Sequence, residues 1–100
     1  MAGEPFDAMR LDRFLWYARL AKTRPYAQVL AESGRFRIDG RAIDRAAAPV
    51  RIGNVLTFAD HRGAVRTIRI AALPTRRGPP AEGRGCYDEL ANVSQEAPGD

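Results

Sequence analysis

The sequence predicts an α+β domain: a helical hairpin packed on a small, twisted, mostly antiparallel sheet, with a C-terminal extension. Three observations carry this. Apolar residues recur at helical spacing between Met9 and Ser33. The period changes to two after Gly34. Turn signals then punctuate short strands at Asp39-Gly40, Gly53-Asn54 and Asp60-His61-Arg62-Gly63. At 100 residues, with 45% hydrophobic and 28% charged side chains, the chain suits one globular domain around one small core.

Residues 1–8, which include Gly3 and Pro5 and show no period, read as a flexible lead-in. A first helix is expected from Met9 to about Ala21. Leu11, Phe14, Leu15 and Ala18 share one face at 100° per residue, and Arg10, Arg13 and Tyr17 lie on a neighbouring one. Trp16 and Leu20 fall off the stripe and suit packing against another element. A second helix is expected from Arg24 to about Ser33, with Thr23 as N-cap, Pro25 in the first turn and Gly34 just past the end. Tyr26, Val29, Leu30 and Ser33 are expected on its inner face.

In Phe36-Arg37-Ile38 the apolar residues face one way, and Asp39-Gly40 turns the chain into Arg41-Ala42-Ile43. Residues 44–54 read as a connection. Val55–Ala59 and Val65–Ala72 read as paired strands, with Ile68 and Ile70 inward and His61 at the tip between them. Pro74 is expected to end the sheet, leaving 9–73 as the domain and 74–100 as an extension. Within the extension, Arg76 to Pro80 reads as an irregular basic loop and Cys86–Val93 as a short helix poorly started by Gly83 and Gly85. Residues 91–100 read as loose, with a disordered end.

Charge is unevenly distributed. Between Met9 and Arg77 there are fifteen Lys/Arg against five Asp/Glu, a surplus of ten, while the remainder holds one basic and seven acidic residues, which restores the formal +4. A compact body this basic calls for a polyanionic partner, and nucleic acid is the commonest. The hairpin carries Arg10, Arg13, Arg19, Lys22 and Arg24, with Arg35 just beyond. Lys22-Thr23-Arg24 sits where the second helix begins, so a phosphate there would meet unpaired N–H groups, a hydroxyl and two cations. The alternative is that Thr23 only caps and the arginines are solvated. Asp12 is expected to pair with a neighbouring arginine, and Asp39 to serve its turn. Trp16 and Tyr26 suit the core, and Tyr17 suits either the core or base stacking.

Catalysis finds little support. His61 is the only imidazole, Cys86 sits in a Gly-rich stretch with no cationic pair of its own, and neither metal-ligand spacing nor a phosphate-binding glycine loop is present. No cofactor, metal or enzymatic activity is expected. A single cysteine, no signal pattern and no apolar run near the ~20 residues needed to span a bilayer point to a cytoplasmic protein without a membrane partner. Monomer is the default.

Met9-Arg10-Leu11-Asp12-Arg13-Phe14-Leu15-Trp16, Arg19, Lys22-Thr23-Arg24, Gly34 and Ile38-Asp39-Gly40 follow in order. Together they resemble the RNA-binding domain named after small-subunit ribosomal protein S-four, the αL RNA-binding motif. Val50 through Gly53-Asn54 to Phe58 resembles that family's closing strand, with Asn54 where Asp is usual. Leu15-Trp16, Arg76 to Pro79 and Tyr87-Asp88-Glu89-Leu90 further resemble the fifteen-kilodalton ribosome-associated heat-shock protein family. The resemblance implies docking on ribosomal RNA of the large subunit, in rescue or recycling of free large subunits carrying a stalled nascent chain on transfer RNA. It implies RNA contacts at Arg10, Arg13, Arg19, Lys22, Thr23, Arg24 and Arg35. Arg37 and Arg41 join from position alone. The rivals are binding of another structured RNA such as transfer RNA, a protein adaptor using Trp16 and Leu20, and a detached module of an RNA-modifying enzyme.

Overall fold

The structure, a computed structural model, describes residues 7–60 and 62–93. The expectations for residues 1–6, for His61 and for residues 94–100 lie outside the described residues.

Met9–Arg10 forms β1, Leu11–Tyr17 α1 and Arg24–Ala31 α2. Phe36–Ile38 is β2, Arg41–Ile43 β3, Pro49–Val50 β4, Val55–Ala59 β5 and Val65–Ile70 β6. The chain closes with α3 at Pro80–Arg84 and β7 at Tyr87–Val93. Five strands make one sheet in the order β3-β2-β5-β6-β7, with every neighbouring pair antiparallel, and β1 with β4 makes a separate two-stranded ribbon. The α+β expectation of a helical hairpin with a mostly antiparallel sheet holds.

One apolar cluster joins helices to sheet. Leu11, Phe14, Leu15 and Ala18 of the first helical segment are buried with Phe36, Leu56, Phe58, Ile68 and Ile70. Phe36 and Phe58 stack with ring centres 5.0 Å apart, a side-by-side pair that fixes β2 against β5. Asp39 and Gly40 both take positive φ, 52° and 82°, the backbone a two-residue hairpin turn needs.

Several expectations require correction. The first helix stops at Tyr17 rather than near Ala21, because the chain turns at Arg19, whose φ is 64°. On α2 the core-facing residues are Ala27, Leu30 and Ala31, while Val29 is 63% exposed and Ser33 is also exposed. The helix therefore presents its small side chains inward, which lets it lie close to α1. The stretch 44–54 is not merely a connection: Pro49 and Val50 pair with Arg10 and Met9.

The largest difference lies in the extension. Pro74 does not end the sheet. Cys86–Val93 is not a helix, and Ala91–Val93 is not loose, because Tyr87–Val93 runs as a strand beside β6. The helix is instead the five-residue α3, which starts inside the stretch read as irregular loop. The physical reason is an edge. Without a partner, β6 would leave a row of donors and acceptors unpaired, and a Gly-interrupted helix competes poorly against filling it.

Candidate nucleic-acid interface

The start of α1 is held from within. The Leu11 and Asp12 amides donate to the Ala48 and Ala46 carbonyls at 2.8 and 3.1 Å. Asp12 is only 1% exposed and accepts from the Arg13 amide at 2.8 Å and from two Arg10 guanidinium nitrogens at 3.0 Å each. Burial pushes the Asp12 carboxyl up, but the Arg10 hydrogen bond and charge, the Arg13 amide and Gln28 together hold it below its ordinary value. The predicted pairing of Asp12 with an arginine is thus present, and it fixes the Arg10 guanidinium in one orientation.

Arg19 and Lys22 lie in the turn between the helices and Arg24 opens α2, while Arg13 lies on α1 and Arg35 beyond α2. Arg13, Arg19, Lys22, Arg24 and Arg35 are all exposed. The described residues contain three ion pairs, Arg10–Asp12, Arg66–Glu89 and Arg76–Glu82, so none of those five cations has a carboxylate partner among the described residues. Thr23 caps α2: its hydroxyl oxygen accepts from the Tyr26 amide at 3.1 Å. Pro25 brings no N–H, so the helix end offers an anion the Arg24 amide and the Thr23 hydroxyl hydrogen, flanked by the Lys22 and Arg24 side chains. Arg19, Lys22 and Thr23 share one groove with Tyr26, Asp60 and Arg66.

The extension locks this turn in place, which sequence reasoning missed. Arg77 reaches back to donate to the Trp16, Ala21 and Lys22 carbonyls, the last two at 3.3 and 3.4 Å. Its guanidinium carbon lies 5.3 Å from the Trp16 ring centre, and that of Arg24 lies 5.9 Å from it. Arg19 Nε returns a bond to the Gly78 carbonyl at 2.6 Å. Arg77 therefore ties together three carbonyls of the turn after α1, of which that of Trp16 also accepts from the Arg19 amide at 3.2 Å. The only signal was a basic pair too far along the chain to be assigned to this turn. Leu20, at 8% exposure, is buried, so it offers little to an adaptor surface built on Trp16 and Leu20.

The remaining sites are more dispersed. Arg35 lies beside Tyr26 and Val29 in a neighbouring groove. Arg37 donates to the Gly40 carbonyl at 3.3 Å, and Arg41 lines a hollow with Asp39 and Arg45 on the β2–β3 hairpin. Arg13 faces a third groove with Tyr17 and Arg51. At the other edge of the sheet, Arg66 makes two bonds to Glu89, at 3.0 and 2.5 Å, and Arg69 pairs in register with Asp88. The acidic strand β7 thereby sets carboxylates opposite both arginines of β6.

This fold, with its basic hairpin and capped second helix, defines an S4-type RNA-binding domain, and the S4 domain family model matches residues 9–56. Over 91 residues the chain is 31% identical to heat shock protein 15 of Escherichia coli strain K12, a match covering 91% of this chain and 67% of that protein. The O157:H7 strain's heat shock protein 15 gives the same figures. The solved heat shock protein 15 of Vibrio cholerae, described as trimeric, superposes with a TM-score of 0.74 at 32% identity, covering 84% of this chain and 83% of that one. The chain belongs to the heat shock protein 15 family.

Proposed function

We propose that this protein docks on structured ribosomal RNA of the large ribosomal subunit, in the rescue or recycling of free large subunits that carry a stalled nascent chain on transfer RNA. The observation that carries the RNA-contacting part is the set of exposed cations around the helical turn with no carboxylate partner among the described residues. Arg10, Arg13, Arg19, Lys22, Thr23, Arg24 and Arg35 contact phosphate and ribose, and Arg37 and Arg41 extend the surface along the β2–β3 hairpin. The hairpin fixes their spacing, so recognition is by RNA shape rather than base sequence. The protein acts by binding, without cofactor or metal, in the cytoplasm. Among the described residues no helix is long and apolar enough to cross a membrane.

Arg13→Ala combined with Arg24→Ala removes two exposed guanidiniums that support no backbone bond. The double variant keeps its circular dichroism spectrum and loses co-sedimentation with large subunits. The six cations Arg10, Arg13, Arg19, Lys22, Arg24 and Arg35 give a log–log salt slope of roughly −4 to −5, and the double variant's slope is about two units shallower. A folded double variant that still co-sediments would overturn the reading, and preferential binding to free transfer RNA would redirect it. Docking as one copy is part of the proposal. Because the Vibrio cholerae relative is trimeric, sedimentation equilibrium checks it, and a trimer's mass would replace the monomer.

A further inference from the structure

We infer that the groove between α1 and the Arg51–Asn54 turn is a pocket for one unpaired nucleotide of the bound RNA, with Tyr17 stacking on the base and Arg13 and Arg51 holding its phosphates. This rests on the RNA-binding reading and adds a site for a base to a surface so far described only through phosphate.

Four segments build the groove: residues 7–9, α1 with Arg13 and Tyr17, the turn after β4 with Arg51 and Ile52, and residues 73–75 where the domain passes into the extension. Arg13 and Tyr17 stand four residues apart, so they lie one above the other on the same side of the helix. The hollow measures about 760 Å³, within the range of small-ligand pockets and ample for a single nucleotide. Tyr17, Ile52 and Leu73 give its lining apolar surface, and Arg13 and Arg51 give it positive charge.

The turn bearing Arg51 is rigid. The Arg51 amide donates to Asn54 Oδ1 at 2.7 Å, Asn54 Nδ2 donates to Asp39 Oδ2 at 2.8 Å, and the Gly53 amide donates to the Ile70 carbonyl at 2.8 Å. The Arg51 side chain has no carboxylate partner among the described residues. Beside it Ile52 is 62% exposed, so it does no work in the core and is placed to flank a base. The same groove contains Asp7. A carboxylate there repels phosphate and accepts from an exocyclic amine, which orients the nucleotide with its phosphates toward the arginines.

Tyr17 is half-buried and tilted against Trp16 at 5.7 Å between ring centres, which gives it a fixed orientation at no further entropic cost. Stacking of one base on a fixed aromatic ring strengthens binding by roughly tenfold. An arginine pair without an aromatic would bind a paired backbone equally well, so the discriminating feature is the unpaired base.

The test measures affinity of the full chain for two labelled RNA hairpins, one fully paired and one identical except for a single bulged adenosine. Wild type should prefer the bulged hairpin by about tenfold. Tyr17→Leu should erase that preference while leaving the paired hairpin's affinity in place, and Tyr17→Phe should keep it. Arg51→Ala, which leaves the turn's backbone bonds untouched, should weaken the bulged hairpin more than the paired one. Equal wild-type affinity for the two hairpins would overturn this inference alone, as would an equal loss on both in a folded Tyr17→Leu. Failure to bind either hairpin at low salt would overturn it together with the RNA-binding reading. Saturation of the groove by micromolar adenosine monophosphate alone would overturn it in favour of a free-nucleotide site.

Discussion

Asp12 shows how one buried carboxylate can set a surface cation. Its oxygens are taken by Arg10 and the Arg13 amide, so Asp12→Asn leaves the shape but removes the charge that both donors face. The loss is about 1–3 kcal/mol, discounted toward the lower end because Arg10 is itself half in water. The folded carboxyl titrates below its ordinary 3.8. Its contribution is therefore complete above the unfolded value and fades as pH falls through the lower folded one. Urea midpoints of wild type and Asp12→Asn should differ at pH 7 and draw together as pH falls below the ordinary 3.8 and on through the lower folded value; a gap that persists unchanged into acid would exclude the ion pair as the cause. Asn54 makes a similar point about legibility. In sequence it is a departure from the usual Asp; in the structure its amide nitrogen donates to Asp39 while its oxygen accepts from Arg51. A carboxylate could do only half of that and would oppose Asp39. The identity of the residue was readable, but its reason lies fifteen positions away in the chain.

At the scale of elements, what the sequence revealed was local. The cap at Thr23, the Asp39-Gly40 turn, and β2, β3, β5 and β6 are set by residues adjacent in the chain, and each stands where turn chemistry and periodicity put it, save that β6 stops at Ile70 rather than Ala72. The two-residue strands β1 and β4 were invisible because two residues carry no period. The extension's role was invisible because α3 and Arg77 act on partners near residue 20. Gly83 records that docking: a Cβ there would lie 2.8 Å from the Ala18 carbonyl oxygen and 3.0 Å from its carbon, both backbone atoms that cannot swing aside. Gly83→Ala should cost about 1–3 kcal/mol as the extension is pushed off the hairpin. Gly78→Ala meets only the Glu82 side chain, which can rotate away and give up an exposed ion pair with Arg76 worth at most about 1 kcal/mol. Thermal denaturation of the two variants should separate them. Equal melting points would mean that the extension does not press on α1 as described.

At the scale of the molecule, the extension does two things at once, and a chain ending at residue 73 separates them. Residues 74–100 hold three basic and five acidic side chains, so their loss raises the formal charge from +4 to +6. The same cut strips β6 of its partner from Val65 to Ile70 and removes the Cys86 carbonyl from the Ala71 and Ala72 amides. Two extra charges spread over a surface of this size are largely screened beyond about 8 Å at physiological ionic strength. An unpaired edge is not screened by salt, and Ile68 and Ile70, buried at 0% and 1% exposure, stand on the strand that becomes that edge. Pairing should therefore outweigh charge. The shortened chain should lose its cooperative urea transition and aggregate, and raising salt to about 0.5 M, where the screening length falls to roughly 4 Å, should not restore it. Recovery of a cooperative transition in high salt would reverse the ranking, making β7 chiefly a counter-charge for the basic body and leaving residues 9–73 able to fold alone.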